Sequence, residues 1–252
     1  MGWVLVFDLD ETLIWTDKDY DKSKHEYTIK NISLNDKLFQ IIFHAKALKP
    51  GLVDAILLLT NNTNVPSVYG DIRMGFLDII DLVVRKEYGK RFDEMFDKIY
   101  TGKREDVNSR KRKTELVEYR GFGEPIYEAN NIEKKFPKGT RLIKDIATVT
   151  KMLEDINIST EYLEDRIIFF DDEPRPHVLM GELEGHRGKY ITIVPQFGKG
   201  EDKTDLSPVY VALGMNPQAS AEAKAKGGAR LRRSRRCTAR RKQKQRRRTK
   251  KY

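Results

Sequence analysis

The sequence predicts an α/β protein built on a doubly wound, mostly parallel sheet, and three observations carry that prediction. Short apolar runs of about five residues recur along the chain without polar alternation, the pattern of strands buried on both faces. Segments with apolar residues at helical spacing separate them, and such alternation indicates a parallel sheet covered by helices. Three of the runs stop abruptly at polar groups, at the strand ends where doubly wound sheets bind ligands.

The first run, Trp3–Phe7 (WVLVF), ends in Asp8 and Asp10. Residues 16–30 then carry dense charge, and a flap over residues 16–34 is expected there. Asn35 and Asp36 are placed to cap a helix through LFQIIFHAKAL, which Pro50 and Gly51 would end. Residues 55–59 (AILLL) give the second strand and run into Thr60 and Asn61. Residues 74–84 read as a helix, residues 98–101 (KIYT) as a further strand closed by Gly102, and residues 148–156 as another helix. Residues 166–170 (RIIFF) end in Asp171 and Asp172, and residues 190–194 (YITIV) end at Pro195. Residues 102–138, with a basic cluster and the turn-rich GFGEP, are expected to be an insertion beyond a minimal fold.

Charge divides the chain. Of 48 lysines and arginines and 38 acids, residues 220–252 hold 16 bases and one acid, leaving 32 bases against 37 acids in the rest. A mildly acidic domain over residues 1–215 and a strongly basic tail over residues 216–252 therefore need separate explanations. Apolar runs long enough for a helical membrane span are missing, and no signal peptide is expected. A single cysteine, Cys237, excludes a disulfide framework and leaves an intracellular, reducing location as the expectation.

Four carboxylates gathered on one sheet edge would repel each other unless a cation sat among them. Hard oxygen donors favour Mg²⁺, which needs only a few carboxylates and keeps its waters. Asp8, at the strand end, is placed to act as a carboxylate nucleophile of the kind that forms an aspartyl phosphate. Asp10, two residues on, can protonate a leaving group and later deprotonate a water. Thr12 can brace the loop by hydrogen bonding. The four histidines, His25, His44, His177 and His186, show no metal-ligand spacing and read as packing or loop residues.

DLDET, LLLTNN and IIFFDDEP resemble motifs I, II and IV of the haloacid dehalogenase (HAD) superfamily. Within it they are most similar to the phosphatases of the NLI-interacting-factor type, which act on the C-terminal domain of RNA polymerase II. DLDETL and the Lys144-Asp145 pair preceding the last acidic motif carry that narrower likeness. The resemblance covers residues 3–200 through short motifs. It implies a HAD-like Rossmannoid fold, with Asp8 as nucleophile and Asp10 as acid/base. Thr60 would hold the phosphoryl oxygens, and Lys144 would hold the charge on phosphate and nucleophile, with Lys103 as the alternative lysine. Mg²⁺ would bind Asp8, the Asp10 carbonyl, Asp171 and Asp172. Thr12, Asn61 and Arg175 are candidate substrate contacts. Relatives often carry Asp-Asn where this chain has Asp171-Asp172, a change that keeps an oxygen ligand.

The tail, ARLRRSRRCTARRKQKQRRRTKKY, has too little apolar surface to fold alone and is expected to be disordered without a partner. Its arginines (Arg230, Arg232, Arg233, Arg235, Arg236, Arg240, Arg241, Arg246, Arg247 and Arg248) suit polyanions such as DNA or RNA. A nucleic-acid-binding arm, a nuclear address and an inert solubilising tail are the three readings; the arginine-rich chain also resembles phosphatase-like proteins of large DNA viruses. Three functions compete: a Mg²⁺-dependent phosphatase of phosphoserine or phosphothreonine proteins, a nucleic-acid end phosphatase, and a non-enzymatic packaging protein on the same scaffold.

Overall fold

The computed structural model describes residues 1–24, 26–62, 64, 66–104, 114–118, 144–172 and 181–215, with backbone alone for 102–104 and 114–118. The chain divides into two units, Met1–Pro208 and Val209–Tyr252. That division falls a little before the expected one at residue 215, inside the short helix α5 (Ser207–Ala212). Among the described residues no helix is long and apolar enough to cross a membrane.

The first unit is α/β. Its main sheet has six strands in the order β10-β9-β1-β4-β7-β8. These are β1 (Trp3–Phe7), β4 (Val53–Leu59), β7 (Lys98–Arg104), β8 (Thr114–Glu118), β9 (Ile167–Asp171) and β10 (Lys189–Thr192). The pairs β1–β4, β1–β9, β4–β7 and β9–β10 are parallel, and β8 alone runs antiparallel, along β7. The central strands β1, β4 and β9 are buried almost throughout, which explains their unbroken apolar sequences. Residues 98–101 do not end at Gly102 as expected, because pairing with β8 carries β7 on to Arg104. Thus β8 and the end of β7 lie within the stretch expected as an insertion, and residues 105–113 and 119–138 of it are outside the described ones.

Helices cover the sheet. α1 (Asp36–Ala47) is capped by Asn35, whose side chain accepts from the Leu38 N–H. It precedes β4, and so supplies the crossover between β1 and β4. α2 (Phe76–Tyr88) starts two residues later than expected, because Met74 and Gly75 are taken up in strand pairing, and ends on Gly89 at a left-handed φ of 68°. α3 (Ile146–Glu154) buries Val149, Met152 and Leu153 against Val4, Val6, Leu57 and Phe169 of the sheet. The one-turn helix α4 (Leu163–Arg166) takes Arg166 out of the strand expected there, and β9 begins at Ile167.

The expected flap is regular structure. β2 (Ile14–Asp21) and β3 (Glu26–Leu34) form an antiparallel hairpin, and β3 pairs in parallel with β5 (Pro66–Tyr69), which pairs with β6 (Ile72–Gly75). This second, four-stranded sheet is built from the excursion after β1 and the excursion after β4. Its position beside the ends of those two strands follows from chain connectivity.

Candidate active site

In the main sheet the chain fills β1, β4 and β7 to one side and then β9 and β10 to the other. The order therefore reverses between β1 and β9, and in a doubly wound sheet the crevice beyond such a reversal is where ligands bind. Register decides what stands there. Phe7 pairs with Phe170, their rings stacked at 4.4 Å, and the Asp8 N–H donates to the Phe170 carbonyl at 2.9 Å. Asp8 and Asp171 thus leave neighbouring parallel strands side by side.

Lys144 stands between them. Its Nζ lies 2.7 Å from Asp8 Oδ1 and 2.7 Å from Asp171 Oδ2, and all three side chains are buried. The helix α3 delivers it. Asp145 caps that helix by accepting from the Thr148 N–H at 2.8 Å and the Thr148 hydroxyl at 2.7 Å, and Glu182 accepts from the Ile146 N–H at 2.9 Å. With the apolar face of α3 docked on the sheet, Lys144 has to fall at the strand ends. Lys103 lies in β7, but its side chain is outside the described residues.

Asp8, Asp171 and Asp172 each bring one carboxylate oxygen to within 4.8 Å of the others, so the three could hold a metal ion. The electrostatics fit that reading. Burial pushes the Asp8 carboxyl up from its ordinary 3.8 to about 8; Lys144 pulls against this, while the charges of Asp171 and Asp10 add to it. Burial followed by the Asp171 charge raises Asp172 to about 6, against the pull of Gln196 and Lys144. Burial would lower Lys144, yet the charges on Asp8 and Asp171 outweigh it and push the ammonium up to about 12. Three carboxylates face one permanent cation, and a divalent ion would balance the two remaining charges. The donors are all oxygens, which excludes a soft thiolate-type site.

Asp10 stands apart from this cluster and is more open, with its side chain 38% exposed. One oxygen faces the Lys18 ammonium at 3.3 Å and the other accepts from Asn62 Nδ2 at 2.5 Å. Lys18 comes from β2, with its Nζ 4.2 Å from the centre of the Phe76 ring and 4.8 Å from that of Tyr27. Thr60 follows β4 and is buried; its N–H donates to the Tyr100 carbonyl at 3.0 Å and its hydroxyl accepts from the Asn62 N–H at 3.1 Å. Asn61 is half-buried, and its side-chain oxygen has no hydrogen-bond partner among the described residues.

Thr12 corrects an expectation. Its hydroxyl is fully buried and unpartnered among the described residues, so the loop is not braced through that hydroxyl. The bracing comes from its backbone, since Asn35 Nδ2 donates to the Thr12 carbonyl at 3.0 Å. Arg175, His177 and every arginine of the basic tail fall outside the described residues.

Three site-adjacent residues were not singled out from the sequence: Lys18, Asn62 (the last residue of LLLTNN) and Gln196. Gln196 donates from Nε2 to Asp172 Oδ2 at 2.6 Å. Compared with protein-family models, curated proteins and solved structures, the chain has no significant match.

Proposed function

We propose that this protein is a Mg²⁺-dependent phosphatase that works through an aspartyl phosphate on Asp8, most consistent with phosphoserine or phosphothreonine proteins as substrates. One observation carries the reading: a buried lysine bridges two aspartates at the reversal point of a parallel sheet, with a third aspartate beside them. Mg²⁺, held by Asp8, Asp171, Asp172 and the Asp10 carbonyl, would supply positive charge to the phosphoryl oxygens and keep Asp8 ionised. Asp8 attacks phosphorus, the bond to the ester oxygen breaks, and Asp10 gives that oxygen its proton. A water deprotonated by Asp10 then attacks phosphorus, releasing inorganic phosphate and restoring Asp8. Lys144 offsets the charge that builds up on Asp8 and the phosphoryl group, and Thr60 lies at the adjacent strand end to donate to its oxygens. The exposure of Asp10 suits a group that must meet both a leaving group and a water.

The basic tail favours one second reading, a nucleic-acid end phosphatase with the same chemistry, and in either case points to a nuclear or DNA-associated setting. Purified protein with Mg²⁺, offered a phosphoserine peptide and a 3′-phosphorylated oligonucleotide, separates them: faster release from the peptide is the expected result, and preference for the oligonucleotide gives the second. Removing residues 220–252 is expected to lower DNA affinity at 50 mM salt by about 10³-fold or more while hydrolysis of a small aryl phosphate persists. Loss of both would show that the tail is not a separable arm.

Metal binding should depend on pH with a definite sign. In the folded, metal-free protein Asp8 keeps its proton up to about 8, whereas the unfolded chain releases it near 3.8. The folded state binds more protons across that window, so its stability falls as pH rises through it. A cation needs the carboxylate and expels the proton, so Mg²⁺ affinity should rise about tenfold per pH unit between about 6 and 8. Below about 6, where Asp172 is protonated as well, the dependence should steepen. Calorimetric Mg²⁺ titrations at several pH values, in buffers of different ionisation enthalpy, measure both affinity and proton release. An affinity independent of pH would remove Asp8 from the ligand set.

A further inference from the structure

The loop after β10 touches the candidate metal centre and the nucleophile loop at once. Gln196 Nε2 donates to Asp172 Oδ2 at 2.6 Å, and Gln196 Oε1 accepts from Lys199 Nζ at 2.5 Å. The same ammonium donates to Glu11 Oε2 at 2.7 Å. The backbone repeats the connection, since the Phe197 N–H donates to the Glu11 carbonyl at 2.7 Å. Glu11 itself has a left-handed φ of 57°, uncommon for a residue with a side chain. Gly198, at φ 88°, lets the loop close on the hairpin: a Cβ there would lie 2.3 Å from Cγ of Trp15. A chain of contacts thus runs from Asp172 through Gln196 and Lys199 to Glu11, the residue next to Asp10.

The chemistry of the middle link is restrictive. Asp172 only accepts when ionised, and Lys199 only donates. A side chain joining them has to donate at one atom and accept at another, which a primary amide does in one orientation. Glutamate in its place would set a second carboxylate against Asp172, and lysine would offer Lys199 no acceptor. The neighbours therefore fix which end of Gln196 is nitrogen.

We infer that Gln196 is a positioning residue that fixes the orientation of the Asp172 carboxylate and disfavours its bidentate use, and so tunes the centre for Mg²⁺ over Ca²⁺. The inference rests on the metal-dependent reading above. Mg²⁺ binds few carboxylates, one oxygen from each, in a tight octahedron completed by water, whereas Ca²⁺ takes six to eight oxygens and readily accepts a bidentate carboxylate. The amide takes one acceptor position on Oδ2 and resists rotation of the carboxylate, which favours binding of a cation through one oxygen over bidentate binding. Free Oδ2, and the carboxylate can rotate and offer both oxygens. Groups that orient metal ligands in this way are commonly worth about 10- to 100-fold in affinity.

The test is calorimetric titration of the full chain with Mg²⁺ and, separately, with Ca²⁺, for wild type, Gln196→Leu and Lys199→Met. Gln196→Leu is expected to weaken Mg²⁺ binding by about 10- to 100-fold and to narrow the Mg²⁺/Ca²⁺ affinity ratio by at least about tenfold. Lys199→Met, which leaves Gln196 in place but removes the cation that orients it, should shift the ratio in the same direction by less. A merely structural role would weaken both ions alike, so an unchanged ratio in both variants overturns the inference while leaving the phosphatase reading intact. Wild type that binds neither ion overturns both. The expected shifts in a protein that releases no phosphate would uphold Gln196 and overturn the phosphatase.

Discussion

Asp8→Asn should lower phosphate release from a phosphoserine peptide by about 10³-fold or more, because an amide cannot take the phosphoryl group in place of the carboxylate. Wild type quenched in acid during turnover should carry phosphate on Asp8, detectable by mass spectrometry, and the variant should carry none. The substitution should not unfold the protein. Asp8 is buried and its carboxyl is raised to about 8, so in the absence of metal its ionisation works against folding as pH rises above the ordinary 3.8. Removing that ionisation flattens the pH dependence. At pH 8 without metal, the variant should melt no lower than wild type. A variant that keeps even half the activity would end the nucleophile assignment, whatever the substrate.

The second large effect is expected at Lys144. Lys144→Met leaves Asp8 and Asp171 facing each other with the shared ammonium gone, and breaking a buried ion pair by removing one partner commonly costs about 3–5 kcal/mol. That cost should be greatest at high pH and shrink as pH falls and Asp8 takes up a proton, which denaturant unfolding at pH 6 and pH 9 would measure. Turnover should fall by about 10²-fold or more, through lost transition-state charge balance. Lys144→Arg should rescue neither property fully. Both carboxylates converge on a single nitrogen at 2.7 Å, whereas a guanidinium spreads its donors over a rigid fork. Full activity in the arginine variant would mean that bulk positive charge, rather than the point contact, is what the site needs.

How far the sequence could be read depended on how directly each residue was tied to a strand end. Asp8, Asp171 and Asp172 were legible because each ends a buried apolar run, and the parallel register then sets them side by side. Lys144 is brought in from 27 residues before Asp171 by the capping and packing of α3, and chemistry alone did not separate it from Lys103. The hairpin was opaque for a mechanical reason. A bulge opposite Asp17 and Lys18 sets the buried Ile29 and Ile32 three apart instead of two, and the buried Glu26 breaks the apolar pattern again where the pairing is regular. Gln196 left a faint trace that could have been followed. The fourth apolar run, like the other three, stops at the same edge of the sheet, and its first polar side chain lies just beyond Pro195. Thr12 misled because a hydroxyl beside acidic groups reads as the brace, whereas the loop is held through the Thr12 carbonyl.

The small four-stranded sheet has two points of attachment. β2 and β3 leave the main sheet after β1, β5 and β6 leave it after β4, and the parallel pairing of β3 with β5 fastens the two excursions together. β3 and β5 meet at Tyr27 and Ser67, and β1 and β4, from which the two excursions leave, meet at Trp3 and Val53. The small sheet stands on two legs, one leaving the main sheet after Asp10 and one after Thr60. Because β3 and β5 are fastened together, a displacement of the small sheet is shared by the segment that carries Asp10 and the segment that carries Thr60.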